Sequence, residues 1–445
     1  MQLSTKTAAF AVLASVTGFC FFFAAYTPGV LTPDSVDQYR QALSGVFEDG
    51  HPPVMAWIWH LMMMVRKGPS TLLALHLVVF WSALAAYYVL LRSHRRFSGC
   101  ILLVGFAPWV GALLGMLWKD IGMAVAWLAA IAVLFAAQQN ERYKKWCLSA
   151  FTVLFSYGLF VRVNALFGAL PLLFLACHVY FPQWRNWKIL LVSVCLLVAG
   201  VIANVGFDRY IARAEHTEVT QTHLMFDDLR ALSERAGQNL TPSETGVTDA
   251  MIAACPPTAG VDFCYERNGW SVGVAKKPDY YPLLKKRWVE SIKGDPIGWL
   301  KFRLHTYGQL LRWSESPYGI VAASAEMPQE FGFAYRQSRL SAAVERVVMA
   351  TSRAAPALFK PYFWLVLSLV GFAVSLRLKG DSIAVARALL LSGAMYLLGY
   401  SLITPFYPFR YGYWTALSTT LSLMLILSDK TVHWWPGGQK HGSVH

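Results

Sequence analysis

Long apolar segments separated by short polar turns make up most of this chain. An apolar run of about 20 residues is long enough to cross a bilayer as a helix, and shorter runs can do so in pairs. Such runs occupy the segments 8–26, 70–91, 99–117, 120–138, 147–161, 164–181, 188–206, 361–377, 384–403 and 410–428. The pattern therefore predicts an all-α polytopic membrane protein with about ten transmembrane helices.

Two longer polar segments interrupt this series. Residues 27–69 form an acidic first loop, and residues 207–358 form a water-soluble insertion with helical stretches and no clear strand alternation. The apolar, tryptophan-rich stretch 53–65 is too short to span a bilayer. It predicts a helix lying in the membrane interface, with Trp57 and Trp59 at headgroup depth.

The first loop contains a helix-start signal. Thr32 followed by Pro33 is typical of the N-cap and first residue of a helix. Asp34 then lies in the first turn, where the positive helix end favours the ionised carboxylate.

Basic residues indicate the side of the membrane on which each turn lies. They are concentrated in alternate turns and at both termini, which places those turns and the termini in the cytoplasm. The first loop and the insertion then lie on the opposite side. The chain divides into an N-terminal transmembrane module, an extracytoplasmic mainly helical domain, C-terminal transmembrane helices and a cytoplasmic tail, at 1–206, 207–358, 359–429 and 430–445.

Composition and charge agree with this class. Hydrophobic residues make up 56% of the chain and charged residues only 14%, whereas soluble proteins carry about a quarter charged residues. The net charge of +14 is explained by basic cytoplasmic turns, since no basic run is interleaved with aromatic residues as on a nucleic-acid surface. Membrane lipid is therefore an expected partner and nucleic acid is not.

Two of the seven cysteines stand apart from the apolar runs. Cys255 and Cys264 bracket a short polar stretch containing proline and glycine. In an oxidising compartment this spacing predicts a disulfide. A zinc pair is the alternative, but no second ligand pair with suitable spacing is nearby.

Two carboxylates come from different turns that share the extracytoplasmic face. Asp34 follows the first span and Asp120 begins the fourth. Charge is costly near the bilayer, so carboxylates gathered at one membrane face indicate a site. Either could act as a general base that accepts a hydroxyl proton. The structural alternatives are helix capping for Asp34 and a surface ion pair with Lys119 for Asp120.

Cations lie on the same face. Arg162 and Asn164 lie at the outer end of one helix, and Arg410 and Tyr411 begin the last span. The planar guanidinium group matches phosphate oxygens, so these arginines and Lys119 predict a pocket for a lipid-linked phosphate. Further candidates for contact with the substrate are Asn164, Tyr411, His51 and Asp49. Snorkelling of the arginines to the interface is the alternative.

A metal site is a further interpretation of the first loop. His51 could orient a carboxylate or bind a metal, and Asp37 and Asp49 could complete a divalent site. We expect no obligatory cofactor. Mg²⁺ or Mn²⁺ bound by Asp34, Asp37 and His51 is the alternative.

Common nucleotide and hydrolase motifs are missing from the sequence. It has no P-loop, dinucleotide glycine fingerprint, His-Glu-x-x-His or Gly-x-Ser-x-Gly. An activated donor would therefore not be a cytoplasmic nucleotide.

These features together resemble the polytopic GT-C glycosyltransferases, the superfamily of protein O-mannosyltransferases and the lipid A aminoarabinose transferase. The resemblance rests on the acidic first loop, Lys119-Asp120, the 162–165 segment with Pro171 after it, and Arg410-Tyr411. It covers the membrane part, about two-thirds of the chain. Bacterial members with this arrangement are similar to O-antigen-modifying glucosyltransferases.

The resemblance implies an inverting transfer of a sugar from polyprenyl phosphate to a periplasmic glycan or lipid-linked acceptor. Asp34 would be the general base, Asp120 would position the acceptor or a metal, and Arg410 would bind phosphate. Relatives carry paired acidic residues in the first loop where this chain has Asp34-Ser35, which favours a single-base mechanism. The short cytoplasmic turns and the lack of a retention signal favour the bacterial inner membrane over the endoplasmic reticulum. We therefore expect a multi-pass protein with its active site on the periplasmic side.

The sequence leaves two other functions as alternatives. A lipid-linked-glycan polymerase or ligase would concentrate arginine and histidine in the large outer segment, whereas here the strongest acidic cluster is in the first loop. A transporter or flippase would carry charges or broken helices at mid-membrane, often repeated in two halves.

Overall fold

A computed structural model describes residues 5–91, 97–217, 219–255, 280–323, 331–333, 335–404 and 407–429. Over these residues the protein is helical, with no β-strand beyond two isolated bridges. Within the described ranges, five helices are long and apolar enough to cross a membrane: Thr5–Tyr26, Ser70–Leu91, Lys119–Gln139, Asn186–Ile211 and Asp381–Leu402. These helices indicate a membrane protein.

The helices follow one another with short connections. In the first half they are α1 (Thr5–Tyr26), α2 (Pro33–Ser44), α3 (Val54–Met63), α4 (Ser70–Leu91), α5 (Pro108–Gly111), α6 (Lys119–Gln139), α7 (Lys144–Val161), α8 (Ala165–Tyr180) and α9 (Asn186–Gly206). In the second half they are α10 (Val219–Ala236), α11 (Asp249–Ala253), α12 (Tyr281–Gly294), α13 (Pro296–Leu311), α14 (Arg339–Ala354), α15 (Pro361–Ser375), α16 (Asp381–Leu398) and α17 (Tyr413–Leu427).

Nine of the ten predicted segments coincide with a single helix, namely α1, α4, α6, α7, α8, α9, α15, α16 and α17. The segment 99–117 differs, because it forms a 3-10 helix over Ser98–Phe106, then α5, then turns. Pro108 disfavours helical backbone at the residue before it. A Cβ on Gly115 would lie 2.1 Å from the Tyr26 ring, so the chain passes closer to α1 than a regular helix with side chains could.

The short helix predicted in the first loop is present as α3, but its tryptophans are not both peripheral. Trp59 is fully buried, with its ring centroid 5.0 Å from that of Tyr39 on α2. Trp57 packs edge-on against Phe207 at 5.5 Å. Trp59 is therefore packed inside the protein, because α2 folds over it, and the depth of both tryptophans in the membrane stays a prediction.

The insertion 207–358 is helical in its described parts and packs on the membrane helices. Part of it has its own small core around Phe226, Leu229 and Leu284. The rest contacts the bundle, since Ser338 Oγ donates to the carbonyl of Ala25 at 3.0 Å. Cys255 is disulfide-bonded. Its predicted partner Cys264 and the tail from residue 430 lie outside the described residues.

Candidate active site at one end of the bundle

The start of α2 is attached to the segment that leads into α6. Thr32 has extended backbone angles and precedes the first helical residue, as the sequence predicts, but its side chain does not cap α2. Its Oγ1 instead accepts a hydrogen bond from Trp118 Nε1 at 2.6 Å. Ser35 Oγ donates to the carbonyl of Leu117 at 2.8 Å. These two bonds hold Asp34 beside the first turn of α6.

Asp34 forms an ion pair with Arg410, its Oδ2 lying 3.0 Å from the guanidinium Nη2. The Asp34 side chain is 34% exposed and that of Arg410 is 12% exposed. The guanidinium carbon lies 4.8 Å from the Trp118 ring centroid and 5.2 Å from that of Tyr411. Arg410 Nε is buried and has no hydrogen-bond acceptor within the described part of the chain.

Asp120 forms a second, more deeply buried ion pair, with its Oδ1 lying 3.1 Å from Nε of Arg162. The side chain of Asp120 is 3% exposed. The Tyr396 hydroxyl donates to Asp120 Oδ1 at 3.3 Å. Arg162 Nη2 donates to the Tyr400 hydroxyl at 3.1 Å, and its guanidinium lies 5.0 Å from the Tyr411 ring centroid. The alternative of a surface ion pair between Asp120 and Lys119 is therefore not what the described residues form.

Lys119 contacts His51 instead of a carboxylate. Lys119 is 6% exposed, and its Nζ lies 2.5 Å from His51 Nδ1. Because an ammonium group can only donate, Nδ1 is the acceptor. Burial, and after it the charge of Lys119, lowers the pKa of His51 from 6.5 to about 3. The imidazole is therefore neutral near pH 7.

Basic side chains outnumber carboxylates in the site. Lys119, Arg162 and Arg410 face two carboxylates, Asp34 and Asp120. Burial raises the pKa of the Asp34 carboxyl, but Arg410 first, followed by the other cationic groups, outweighs burial and holds the pKa well below its usual range. The site thus pairs an ionised, partly exposed carboxylate with cations suited to an anion.

Two predicted site residues make no hydrogen bond to the charged groups of the site within the described chain. Asp49 binds His216 and accepts from the backbone N–H of Thr217 at 2.5 Å, which ties the first loop to the start of the insertion. Asn164 precedes α8, and its side chain makes no capping bond and no hydrogen bond to the charged groups among the described residues. Substrate contacts by Asp49 and Asn164 therefore stay predictions.

The metal interpretation gains no support. Asp37 accepts a hydrogen bond from Gln41 Nε2 at 2.9 Å on α2. No three His, Cys, Asp or Glu side chains are grouped to hold a metal ion in the parts of the chain that the structure describes. The set Asp34, Asp37 and His51 is therefore not assembled in this structure.

Three aromatic residues of the site were missed from the sequence. Trp118 stacks on Arg410. Tyr396 donates a hydrogen bond to Asp120, and Tyr400 accepts one from Arg162. A signal was present, because tyrosines four residues apart share one face of a helix.

Comparison with protein-family models, with curated proteins and with solved structures finds no match to this chain.

Proposed function

We propose that this protein is a membrane glycosyltransferase that moves a sugar from a polyprenyl-phosphate donor to a periplasmic glycan or lipid-linked acceptor. It would lie in the bacterial inner membrane with about ten spans, its site and the insertion 207–358 facing the periplasm. The apolar helices support the membrane location, and the ionised carboxylate among cations supports the chemistry.

The observation that carries the proposal is the incomplete hydrogen bonding of the Arg410 guanidinium group. Its Nη2 is paired with the partly exposed Asp34, while its Nε is buried without an acceptor within the described chain. Nε and an Nη atom are the two donors with which arginine binds a phosphate in a bidentate manner. A donor phosphate would therefore satisfy a buried N–H and share the cation that Asp34 now occupies.

The reaction follows from these positions. As the acceptor hydroxyl oxygen attacks the anomeric carbon, its proton passes to the Asp34 carboxylate. The bond from that carbon to the phosphate oxygen breaks with its electron pair, and polyprenyl phosphate leaves as an anion. Arg410 and Lys119 stabilise the charge on the leaving group. A single displacement inverts the anomeric configuration.

Binding of the donor would also prepare the base. While Arg410 is paired only with Asp34, the carboxylate is a weak base because its pKa is held low. A phosphate at Arg410 adds negative charge beside Asp34 and weakens that pairing, which raises the basicity of the carboxylate. Asp120 stays engaged with Arg162 and Tyr396, so it would position Arg162 while Asp34 serves as the single base.

The test compares purified Asp34→Asn with wild type in transfer from a mixture of polyprenyl-phosphate sugars to envelope glycan and lipid acceptors. Transfer should fall about a hundredfold or more, the scale of a lost general base, with or without EDTA. Asp37→Asn is the matched control, because Asp37 lies on the same helix and its carboxylate accepts a hydrogen bond from Gln41.

Equal transfer by wild type and Asp34→Asn would remove Asp34 as the base. No transfer by wild type with any donor would reject the glycosyltransferase. Polymerisation or ligation of preformed lipid-linked glycans, and movement of such lipids between leaflets of proteoliposomes, would then be measured on the same preparation.

A further inference from the structure

Gln38 is a buried amide that makes no hydrogen bond to any described residue. It is 1% exposed, and neither its Nε2 nor its Oε1 makes a hydrogen bond within the described chain. Buried polar groups of folded proteins are nearly always hydrogen-bonded, because leaving them unpaired is costly. An amide with both ends unpaired therefore requires a specific explanation.

The absence of partners is particular to Gln38 and not general to α2. Gln41, three residues later on the same helix, uses both ends of its amide. Its Nε2 donates to Asp37 Oδ2 at 2.9 Å, and its Oε1 accepts from the backbone N–H of Glu48 at 3.2 Å. The fold thus satisfies one glutamine of this helix and leaves the other unsatisfied.

The position of Gln38 connects it with the site. It lies four residues after Asp34 and three after Ser35, and residues at these spacings are neighbours on one helix face. Ser35 is buried against the segment leading into α6, and Asp34 contacts Arg410. The Gln38 amide is therefore one helical turn from the carboxylate at the open edge of the site, on the buried face.

We propose that Gln38 binds a hydroxyl group of the sugar carried by the lipid-phosphate donor, and so contributes to the choice of sugar. This inference rests on the proposed function. A sugar hydroxyl both donates and accepts, which matches the carbonyl and amino ends of a carboxamide. With its phosphate on Arg410, the donor would place its sugar beside Asp34, within reach of the amide after rotation of its side chain.

The chemistry also explains why the amide is left unpaired. A site built to hydrogen-bond a substrate hydroxyl discriminates strongly against ligands that lack it, because its buried polar groups are then unpaired. In the protein without ligand, the unpaired amide of Gln38 lowers the free energy of unfolding. Replacing Gln38 with an apolar side chain of similar shape should therefore stabilise the free protein while it weakens sugar recognition.

The experiment uses the full chain purified in detergent and two kinds of probe, decaprenyl phosphate alone and a panel of decaprenyl-phosphate monosaccharides. Affinity for each is measured by titration for wild type, Gln38→Met and Gln41→Met, with the thermal midpoint of each free protein. For the monosaccharide that wild type prefers, Gln38→Met should weaken binding about three- to tenfold, the scale of one hydrogen bond.

Binding of bare decaprenyl phosphate should be unchanged in Gln38→Met, and the thermal midpoint of the free variant should equal or exceed that of wild type. Gln41→Met should lower the midpoint without a sugar-specific effect. Equal weakening of both probes by Gln38→Met, or none, would overturn the role of Gln38, as would a drop in midpoint like that of Gln41→Met. Failure of wild type to bind any probe would instead reject the proposed function, and this inference with it.

Discussion

The carboxylate of Asp34, in the first turn of α2, lies 3.0 Å from Nη2 of Arg410, which precedes α17 near the other end of the described chain. This pair joins the first polar loop to the last helix. It differs from the pair of Asp120 and Arg162, in which the carboxylate is 3% exposed against 34% for Asp34. The two carboxylates therefore differ in access, since that of Asp34 is partly open to solvent and that of Asp120 is closed off.

The stability contributed by Asp34 should depend on pH in the acid range. Burial raises the pKa of this carboxyl, but Arg410, followed by His51 and Lys119, holds it well below the usual 3.8. A lowered folded-state pKa means that the contribution is complete above pH 3.8 and is lost as the pH falls through the lower value.

Thermal unfolding of wild type and Asp34→Asn, at pH values from about 3 to 7, measures this contribution. The difference between their midpoints should be constant near neutrality and shrink in acid. A difference that grows in acid would contradict the ion pair, and Asp37→Asn should give no comparable trend.

The buried pair should behave as a coupled unit. Asp120→Asn leaves the guanidinium of Arg162 buried without its carboxylate, and removing one partner of such a pair costs about 3–5 kcal/mol. The double variant Asp120→Asn/Arg162→Gln should lose less than the sum of the two single variants, because the second change removes the uncompensated charge.

Thermal midpoints of the four proteins in detergent complete this double-mutant cycle. The exposed pair of Glu141 and Lys144, 2.8 Å apart with the glutamate 80% exposed, is the control, and Glu141→Gln should cost less than about 0.5 kcal/mol. Additive losses at Asp120 and Arg162 would show that the two side chains do not depend on each other.

Most of the helices could be predicted because a lipid-length apolar run constrains the chain by itself. The segment predicted at 70–91 is α4, with identical bounds. The segment 99–117 could not be predicted in this way, since its form depends on a contact between Gly115 and Tyr26 that only the folded chain creates. Apolar length indicates a buried segment but not a regular helix.

The set of charged residues that meet in the site could be predicted, but not which carboxylate pairs with which cation. Alternating topology was sufficient to bring Asp34, Asp120, Lys119, Arg162 and Arg410 to one end of the bundle, and they do meet there. The structural alternative for Asp120 was an ion pair with its sequence neighbour Lys119, and this pair is not formed among the described residues. Adjacent residues of a helix point in different directions, so the two side chains have separate partners that come from distant segments.

The state of His51 gives a second pH prediction. Because burial, and then Lys119, lowers its pKa from 6.5 to about 3, the unfolded chain binds more protons at this imidazole than the folded protein does between those values. Stability contributed at His51 therefore decreases as the pH falls below about 6.5.

His51→Asn removes this dependence and keeps an acceptor for Lys119. The thermal midpoint of wild type minus that of His51→Asn should become smaller as the pH is lowered from about 7 to 5. His305→Asn, at an exposed position of α13, should leave the difference from wild type unchanged. An opposite trend at His51 would mean that the imidazole is stabilised in its charged form.

Arg410→Lys tests whether phosphate binding needs only a positive charge at this position or also the planar guanidinium group. Lysine keeps the positive charge but loses the two parallel donors and the planar stacking between Trp118 and Tyr411. Hydrogen bonds to charged groups contribute about 1.5–3 kcal/mol. Affinity for decaprenyl phosphate should therefore fall about tenfold or more, measured by titration of the purified protein.

The same substitution at Arg142, in the exposed turn between α6 and α7, is the control and should leave the affinity unchanged. Raising the salt concentration should weaken binding less than it would at an exposed cation, since Arg410 is 12% exposed and buried charges are screened less. If Arg410→Lys binds the lipid phosphate as tightly as wild type, a bidentate contact is excluded. Lys119 or Arg162 would then have to supply the phosphate contact.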